Sequence, residues 1–324
     1  MAAQPQALDA PAPISSHRLR DSISAWPLID RVGFGLCWAA GIGLCVVTAA
    51  IVLYMLVKGI SYLRPGLFVQ SPSGSLDQSQ SGGFRDPIEG TLILTALGVA
   101  IAAPLGVAIA AWLTEYHRPA GLARAVESGV EMISGAPSIL LAIFGLLVFS
   151  QGFLGFLSQN SAGGVVYGRS FFAAGAIMAF LALPLIVGST REGLEQLPTQ
   201  LREASYALGK TRATTIRRVL LPSVRPNIAS GIALGMGRII GDTAIVVILL
   251  ASTLQLEGTG GLPILSTLRG TGSTLTAYVF SNSPAGEGNS PQKAYAAAFV
   301  LLMLVLALNF LVTRLNPKEL GTGR

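Results

Sequence analysis

Charge is scarce in this sequence. Only 12% of its 324 residues are Asp, Glu, Lys or Arg, about half the share an ordinary soluble domain carries. So few charges over this length argue against a chain folded in water. Histidine and cysteine are scarcer still, two of each. Cys37 and Cys45 stand in one apolar run, about 12 Å apart along a helix axis, which is too far to bridge. His17 and His117 fall in separate polar segments. No group with metal-ligand spacing can be assembled from these residues, and no His, Cys or carboxylate constellation for covalent or acid–base chemistry. Aromatics are 7% of the chain and do not interleave with basic residues, so the net charge of +6 is not read as a nucleic-acid footprint. The first 30 residues, rich in Ala, Pro and Ser, lack the apolar run of a cleavable signal peptide.

Apolar residues are abundant instead, at 51%, with a mean hydropathy of +0.61. Runs long enough to cross a bilayer, about 20 residues each, lie near Gly33 to Val57, Thr91 to Thr114, Ser134 to Leu157, Phe171 to Thr190, Ile228 to Thr253 and Ala294 to Val312. The expected fold is an all-α membrane protein of six transmembrane helices. A polar, disordered cytoplasmic tail is expected over 1–32, a membrane domain over 33–312 and a second cytoplasmic tail over 313–324. With the N-terminus inside, fifteen Lys and Arg fall on inner segments and six on outer ones. Basic residues are retained on the cytoplasmic face, so both termini are expected there.

The outer loops, from Lys58 to Glu89 with its Ser/Gln/Gly tract and from about Leu254 to Lys293, read as flexible segments that either meet an external protein or are simply solvated. Pro104, Pro137 and Pro184 fall within or near spans two, three and four, and each is expected to kink or break its helix. In Gly135-Ala136-Pro137-Ser138 the chain can unwind at Gly135 while Pro137 opens a new helix. A helix opened by Pro137 would present N–H groups suited to an anion; a packing kink is the alternative. Gly231 and Gly235 are spaced for close helix packing.

Arg238 and Asp242 are the ionisable pair deep in an apolar run. Four residues apart, they share a helix face and can pair. Intramembrane charge is costly and marks a bundle interior or an aqueous path. Arg238 would therefore meet an oxyanion, since guanidinium offers a planar fork of donors, with Asp242 holding it and Thr243 beside them. A structural ion pair is the other reading.

Between spans four and five, Glu203-Ala204-Ser205, Gly209 and Val219-Leu220-Leu221-Pro222 sit at fixed spacing in a basic stretch. Gly209 is expected to end one short helix and Pro222 to close a second. Arg202, Lys210, Arg212, Arg217 and Arg218 would form a face for an acidic partner, or merely reflect an inner loop. Leu208-Gly209-Lys210-Thr211 ends like a phosphate-binding loop, but Ala204 stands where a Gly is required and no strand precedes it. ATP hydrolysis would then belong to another polypeptide.

This spacing resembles the coupling loop of ABC importer permeases, with Ser205 in place of Ala and Val219 in place of Ile. The resemblance implies a type I importer-like fold with a cytoplasmic coupling loop over 191–226. It also implies ATPase docking through Glu203, Ala204, Ser205, Gly209, Leu221 and Pro222. From about Gly83 to Thr253 the chain further resembles the PstA-type permeases of bacterial phosphate importers. The residues that carry this are Gly90-Thr91 to Thr95, Pro104 to Val107, Glu115-Tyr116, Gly135 to Ser138, Leu183-Pro184, Arg202 to Gly209 and Gly237 to Ala244. A multi-pass subunit of the bacterial cytoplasmic membrane is implied, forming half of an inorganic-phosphate path past Arg238, Asp242, Thr243 and Ser138. The implied partners are a second permease (PstC-type), two ATPase subunits (PstB-type) holding ATP and Mg, a phosphate-binding protein (PstS-type) and membrane lipid. No cofactor on this chain and no nucleic acid are implied.

Two departures stand out. The family's Gly-Glu-Thr-Ala-Pro has Asp242 for Glu and Ile245 for Pro, which predicts the loss of a kink. Where the family has Arg and, three residues on, Glu, this sequence has Gly188 and Arg191, so Arg191 would take part of the anion-binding role. Sulfate or molybdate permeases share the loop; an ATP-independent transporter or channel would leave it unexplained.

Overall fold

The computed structural model describes residues 27–60, 62–72, 82–116, 118–158, 168–250, 263–284, 286 and 290–315. Among the described residues the regular structure is entirely helical. The chain divides into two units, the first ending at Leu53 and the second beginning at Tyr54.

Helix α1 (Leu28–Gly59) opens in the first unit and ends in the second. Its first-unit part is apolar all round and exposes Phe34, Trp38, Leu44 and Val46, as suits a helix solvated by hydrocarbon. The helix begins at Leu28, so residues 28–32 of the expected tail are helical; residues 1–26 of that tail lie outside the described residues.

In the second unit, α2 (Arg85–Glu115), α5 (Phe171–Glu195) and α9 (Arg225–Gly241) form the centre. One buried cluster runs through Leu94 and Ala102 of α2, Ile177, Met178, Ala182 and Ile186 of α5 and Ile239 of α9. Small residues set the spacing, as lipid-embedded helices require. A Cβ on Gly98 would stand 2.9 Å from Ile239, one on Gly106 2.8 Å from Ile186, and one on Gly231 3.1 Å from the Ile186 backbone. The expected packing role of Gly231 and Gly235 is thus directed against α5, while Gly237 and Gly241 face open space.

The second turn of α2 is stitched to the segment that leads into α12 (Leu275–Asn282). Thr91 donates to the Pro87 carbonyl at 2.7 Å and accepts from the Leu275 N–H at 2.9 Å. Beside it, a Cβ on Gly90 would lie 2.1 Å from the Ser273 carbonyl oxygen, and backbone cannot swing aside as a side-chain tip can. Gly90→Ala is predicted to destabilise the protein by roughly 1–3 kcal/mol, the usual cost of overpacking. Thermal unfolding of the detergent-solubilised protein checks this; an unchanged midpoint would mean the 271–274 segment shifts freely.

Of the six expected spans, four appear as single helices long and apolar enough to cross a membrane: α1, α2, α5 and α13 (Pro291–Leu315). A fifth arises if α3 (Ala120–Gly135) and α4 (Ser138–Phe149), bent by 110°, count as one span. α3 replaces part of an expected connection. It is amphipathic, and it seats Ala123, Val126 and Val130 against Leu113, Leu183 and Val187. The expected sixth crossing, over 228–253, is interrupted. α9 stops after 17 residues at Gly241, and α10 (Ala244–Leu249) follows a break at Asp242 and Thr243; residues 251–253 lie outside the described residues.

Pro104 and Pro184 sit inside unbroken helices. Pro137 marks the break that was expected of it: α3 ends at Gly135, Ala136 and Pro137 are extended, and α4 opens at Ser138. The connection expected over 254–293 contains two helices, α11 (Pro263–Arg269) and α12, the latter capped by Thr274, which accepts from the Ala277 N–H. Most of it had read as loop because Ser, Thr and Gly hide the apolar period. Residues 73–81 of the Ser/Gln/Gly tract and 316–324 of the C-terminal tail are outside the described residues.

Candidate functional site

The loop after α5 folds as α6 (Thr199–Ala207), α7 (Arg212–Thr215), a wide π-helical turn over Ile216–Leu220 and α8 (Leu221–Ser223). Gly209 has φ +73°. Its N–H reaches the Tyr206 carbonyl at 2.9 Å, and the Lys210 N–H reaches Ser205 at 3.2 Å. These paired bonds terminate a helix on a left-handed residue, a conformation that Gly adopts without steric cost. Thr211 then starts α7, its hydroxyl accepting from the Thr214 N–H at 3.3 Å.

Pro222 does not close the second helix as expected. It lies within α8, and the chain turns at Val224, with φ −102° and ψ 15°. The π turn before it explains the tolerance: the Leu221 N–H bonds back to Ile216, five residues away, so the helix is already widened where Pro222 enters without a donor.

The loop has a buried inner face and an exposed outer one. Inside, the hydroxyls of Ser205 and Thr215 meet at 2.8 Å, joining α6 to α7. Leu221 packs with Leu194, Ile216, Leu220 and Val224. Outside stand Glu203, Ala204, Tyr206, Leu208, Gly209, Lys210, Arg217 and Arg218. Leu208 is 78% exposed, an apolar tip among charges, which suits a contact with another protein.

Arg202, expected on that outer face, turns inward. Its Nε donates to Glu115 Oε1 at 2.9 Å and its Nη2 lies 2.9 Å from the same oxygen in an ion pair, while Nη1 reaches the Leu197 carbonyl at 3.1 Å and Nη2 that of Leu194 at 2.9 Å. Glu115 is the last residue of α2 and its side chain is 6% exposed. A carboxylate at a helix C-terminus is disfavoured by the helix dipole, so it depends on this guanidinium; breaking such a buried pair costs on the order of 3–5 kcal/mol. Next to it, Arg212 lies over the Tyr116 ring at 5.4 Å.

The break in the α9–α10 run is built from side chains. Asp242 is buried, and its Oδ1 accepts from the Ile245 N–H at 3.0 Å. The last carbonyls of α9 need partners too, and Thr276 of α12 donates to that of Ile240 at 2.7 Å. In hydrocarbon a broken helix persists only where such groups are satisfied internally. The break therefore survives the absence of a proline at position 245: the expected loss of a kink does not occur, and the Ile245 N–H is what Asp242 binds.

Arg238 and Asp242 do not pair. Asp242 leaves the helix one residue after Gly241 and turns into the core, whereas Arg238 stays on the exposed face of α9 with Leu234 and Gly241. No ion pair or hydrogen bond joins the two. Thr243 is half-buried in the break, and Ser138 is half-buried at the first position of α4. Arg191 is held at 2.7 Å by Glu127 of α3 through Nη1 and at 2.7 Å by Glu195 through Nε. Two carboxylates thus occupy its donors. Neither Ser138 nor Arg191 is bonded to Arg238. Sequence reasoning missed the roles of Glu115 and Thr276; an acidic residue closing an apolar run was the available signal for the first.

Residues 87–320 match the family described as binding-protein-dependent transport system inner membrane component. The phosphate transport system permease protein PstA 1 of Mycobacterium tuberculosis is 30% identical over 248 residues, covering 76% of this chain and 74% of the relative. The phosphate transport system permease protein PstC of Haemophilus influenzae is 27% identical over 242 residues, 71% and 74% of the two chains. Among solved structures, a chain of a bacterial alginate ABC transporter, in complex with its alginate-bound periplasmic protein, superposes with a TM-score of 0.60 at 18% identity, over 91% of this chain and 97% of that one. The inward-facing MetNI methionine ABC transporter gives 0.51 at 20% identity, over 71% and 92%. At these identities the structural likeness speaks for the fold alone.

Proposed function

This chain belongs to the family of binding-protein-dependent transport system inner membrane components, and from that membership we propose that it is a permease subunit of an ATP-driven importer of inorganic phosphate. The substrate rests on the phosphate permeases it is similar to, PstA 1 and PstC. The coupling role rests on one observation: the α6–α7 loop presents Glu203, Leu208 and Lys210 outward while Ser205 and Arg202 fasten it from within. That is the form of a rigid knob made to be gripped by another subunit. In this reading the loop faces the cytoplasm, both termini lie there, and ATP and Mg stay on two ATPase subunits. A second permease and an external phosphate-binding protein complete the assembly.

Translocation follows from the placement of charge. ATP-driven closure of the ATPases pushes on Glu203 to Pro222, and the helices above rock between inward and outward openings. Phosphate passes the exposed face of α9, where Arg238 offers a guanidinium fork. Because Asp242 is engaged at the break, it does not neutralise Arg238. Low affinity, which release requires, then comes from hydration of the path.

The test is uptake and ATP hydrolysis by the complex in liposomes, with binding protein loaded in turn with phosphate, sulfate or molybdate. Stimulation by phosphate of roughly tenfold or more over the others, a difference of about 1.4 kcal/mol, is expected. Equal or greater stimulation by sulfate or molybdate would remove the phosphate assignment.

A further inference from the structure

We propose that Glu115 and Tyr116, the last turn of α2, are the handle through which the coupling loop moves the membrane helices, with Arg202 of α6 and Arg212 of α7 as its two grips. The proposal rests on the importer reading above and assigns positioning residues to its coupling step.

A push on α6 must reach the helices that line the path. Within the loop, Ser205 and Thr215 make α6 and α7 one body. From that body two basic side chains reach adjacent residues of α2: Arg202 binds Glu115 through Nε and Nη2, and Arg212 lies over Tyr116. Arg202 also binds the Leu194 carbonyl in the last turn of α5 and that of Leu197 just beyond it. One guanidinium therefore ties α6 to α2 and α5 together. These two helices pack along their length through Gly106, Gly175 and their neighbours, and α5 packs on α9, which carries Arg238.

The tie suits load transfer. The Glu115 side chain is 6% exposed and that of Arg202 19%, so water competes poorly for either, and the guanidinium fork fixes direction as well as distance. Among the described residues Glu115 has no other cation in ion-pair contact. Arg202 and Glu115 thus behave as one unit, and replacing both by apolar side chains of similar size removes the tie without stranding a charge.

The experiment compares wild type, Glu115→Gln, Arg202→Lys and the double variant Arg202→Met with Glu115→Met, each in the assembled complex with its ATPase and binding-protein partners. The double variant is expected to keep its ATPase subunits and its ATP hydrolysis within about twofold, while phosphate taken up per ATP falls at least about tenfold. Arg202→Lys, which keeps the charge without the fork, should fall between. A double variant with wild-type uptake per ATP would overturn the proposal. So would loss of bound ATPase together with hydrolysis, because the pair would then serve docking or folding. A substrate-independent arm separates this from the phosphate reading: a non-hydrolysable ATP analogue should change hydrogen exchange in the last turn of α2 in wild type and not in the double variant. The same change in both sinks the handle, whereas failure of wild type to take up phosphate sinks only the substrate assignment.

Discussion

Arg238→Gln is expected to cut phosphate uptake by roughly one to two orders of magnitude, the equivalent of losing about 1.5–3 kcal/mol of charged hydrogen bonding, while the permeases and ATPases stay assembled. The argument begins with cost. A guanidinium at membrane depth is unfavourable by about 2.5–3.5 kcal/mol on the gentlest scale, and no ion pair among the described residues offsets it. Arg238 lies on the exposed face of α9, the nearest carboxylate in sequence is turned away into a helix cap, and no ion pair forms. The opposite face, with Gly231 and Gly235, is committed to α5. Lipid is an untenable environment for the exposed face, so it must meet a second polypeptide or water. Gln keeps polarity but removes the charge and the fork, which separates the two possibilities. If Arg238 serves the path, co-purification of the subunits is unchanged and uptake collapses. If it serves subunit contact, the second permease is lost from the complex, and that result would end the path role. Uptake and subunit stoichiometry measured on one preparation decide between them.

The two halves of the proposed machinery differ in how far they could be read beforehand. The coupling loop was legible because its geometry is local: Gly209 ends α6 through bonds to Tyr206 and Ser205, all within five residues. Pro222 misled because the π turn that admits it depends on Ile216 and Leu221, which no propensity marks. Arg202 misled for the opposite reason. Its partner is 87 residues away, and a basic side chain in a basic loop gives no sign that it turns inward. Averaging hydropathy over a window found the four long crossings. It could not see that one carboxylate, Asp242, and one hydroxyl, Thr276, would satisfy a break in the run from 228. A polar residue in an apolar run can pay its own cost by capping, and only its partners tell that from a charge pair.

The same distinction yields the second large prediction. If Asp242 acts as a cap, Asp242→Asn should retain most uptake, because Asn accepts the Ile245 N–H as well as Asp does and ranks with it among helix caps. Asp242→Ala should lose the cap, worth about 1–2 kcal/mol in water-exposed helices. Here the cost is greater in kind, since the Ile245 N–H is buried and has no water to turn to. Roughly tenfold less uptake, or the same loss of folded protein in detergent, is the expected result for Ala. Had Asp242 instead been the counter-charge of Arg238, Asn and Ala would fail alike. Uptake by the two variants, read beside the thermal stability of each, therefore reports on the geometry of the break. Equal failure of Asn and Ala with unchanged stability would return Asp242 to the charge pair and remove the cap from the mechanism. Asn near wild type with Ala unstable would mean that the break in the α9–α10 run, which lies four residues beyond Arg238, is held by shape and hydrogen bonding, leaving the Arg238 charge available to the anion.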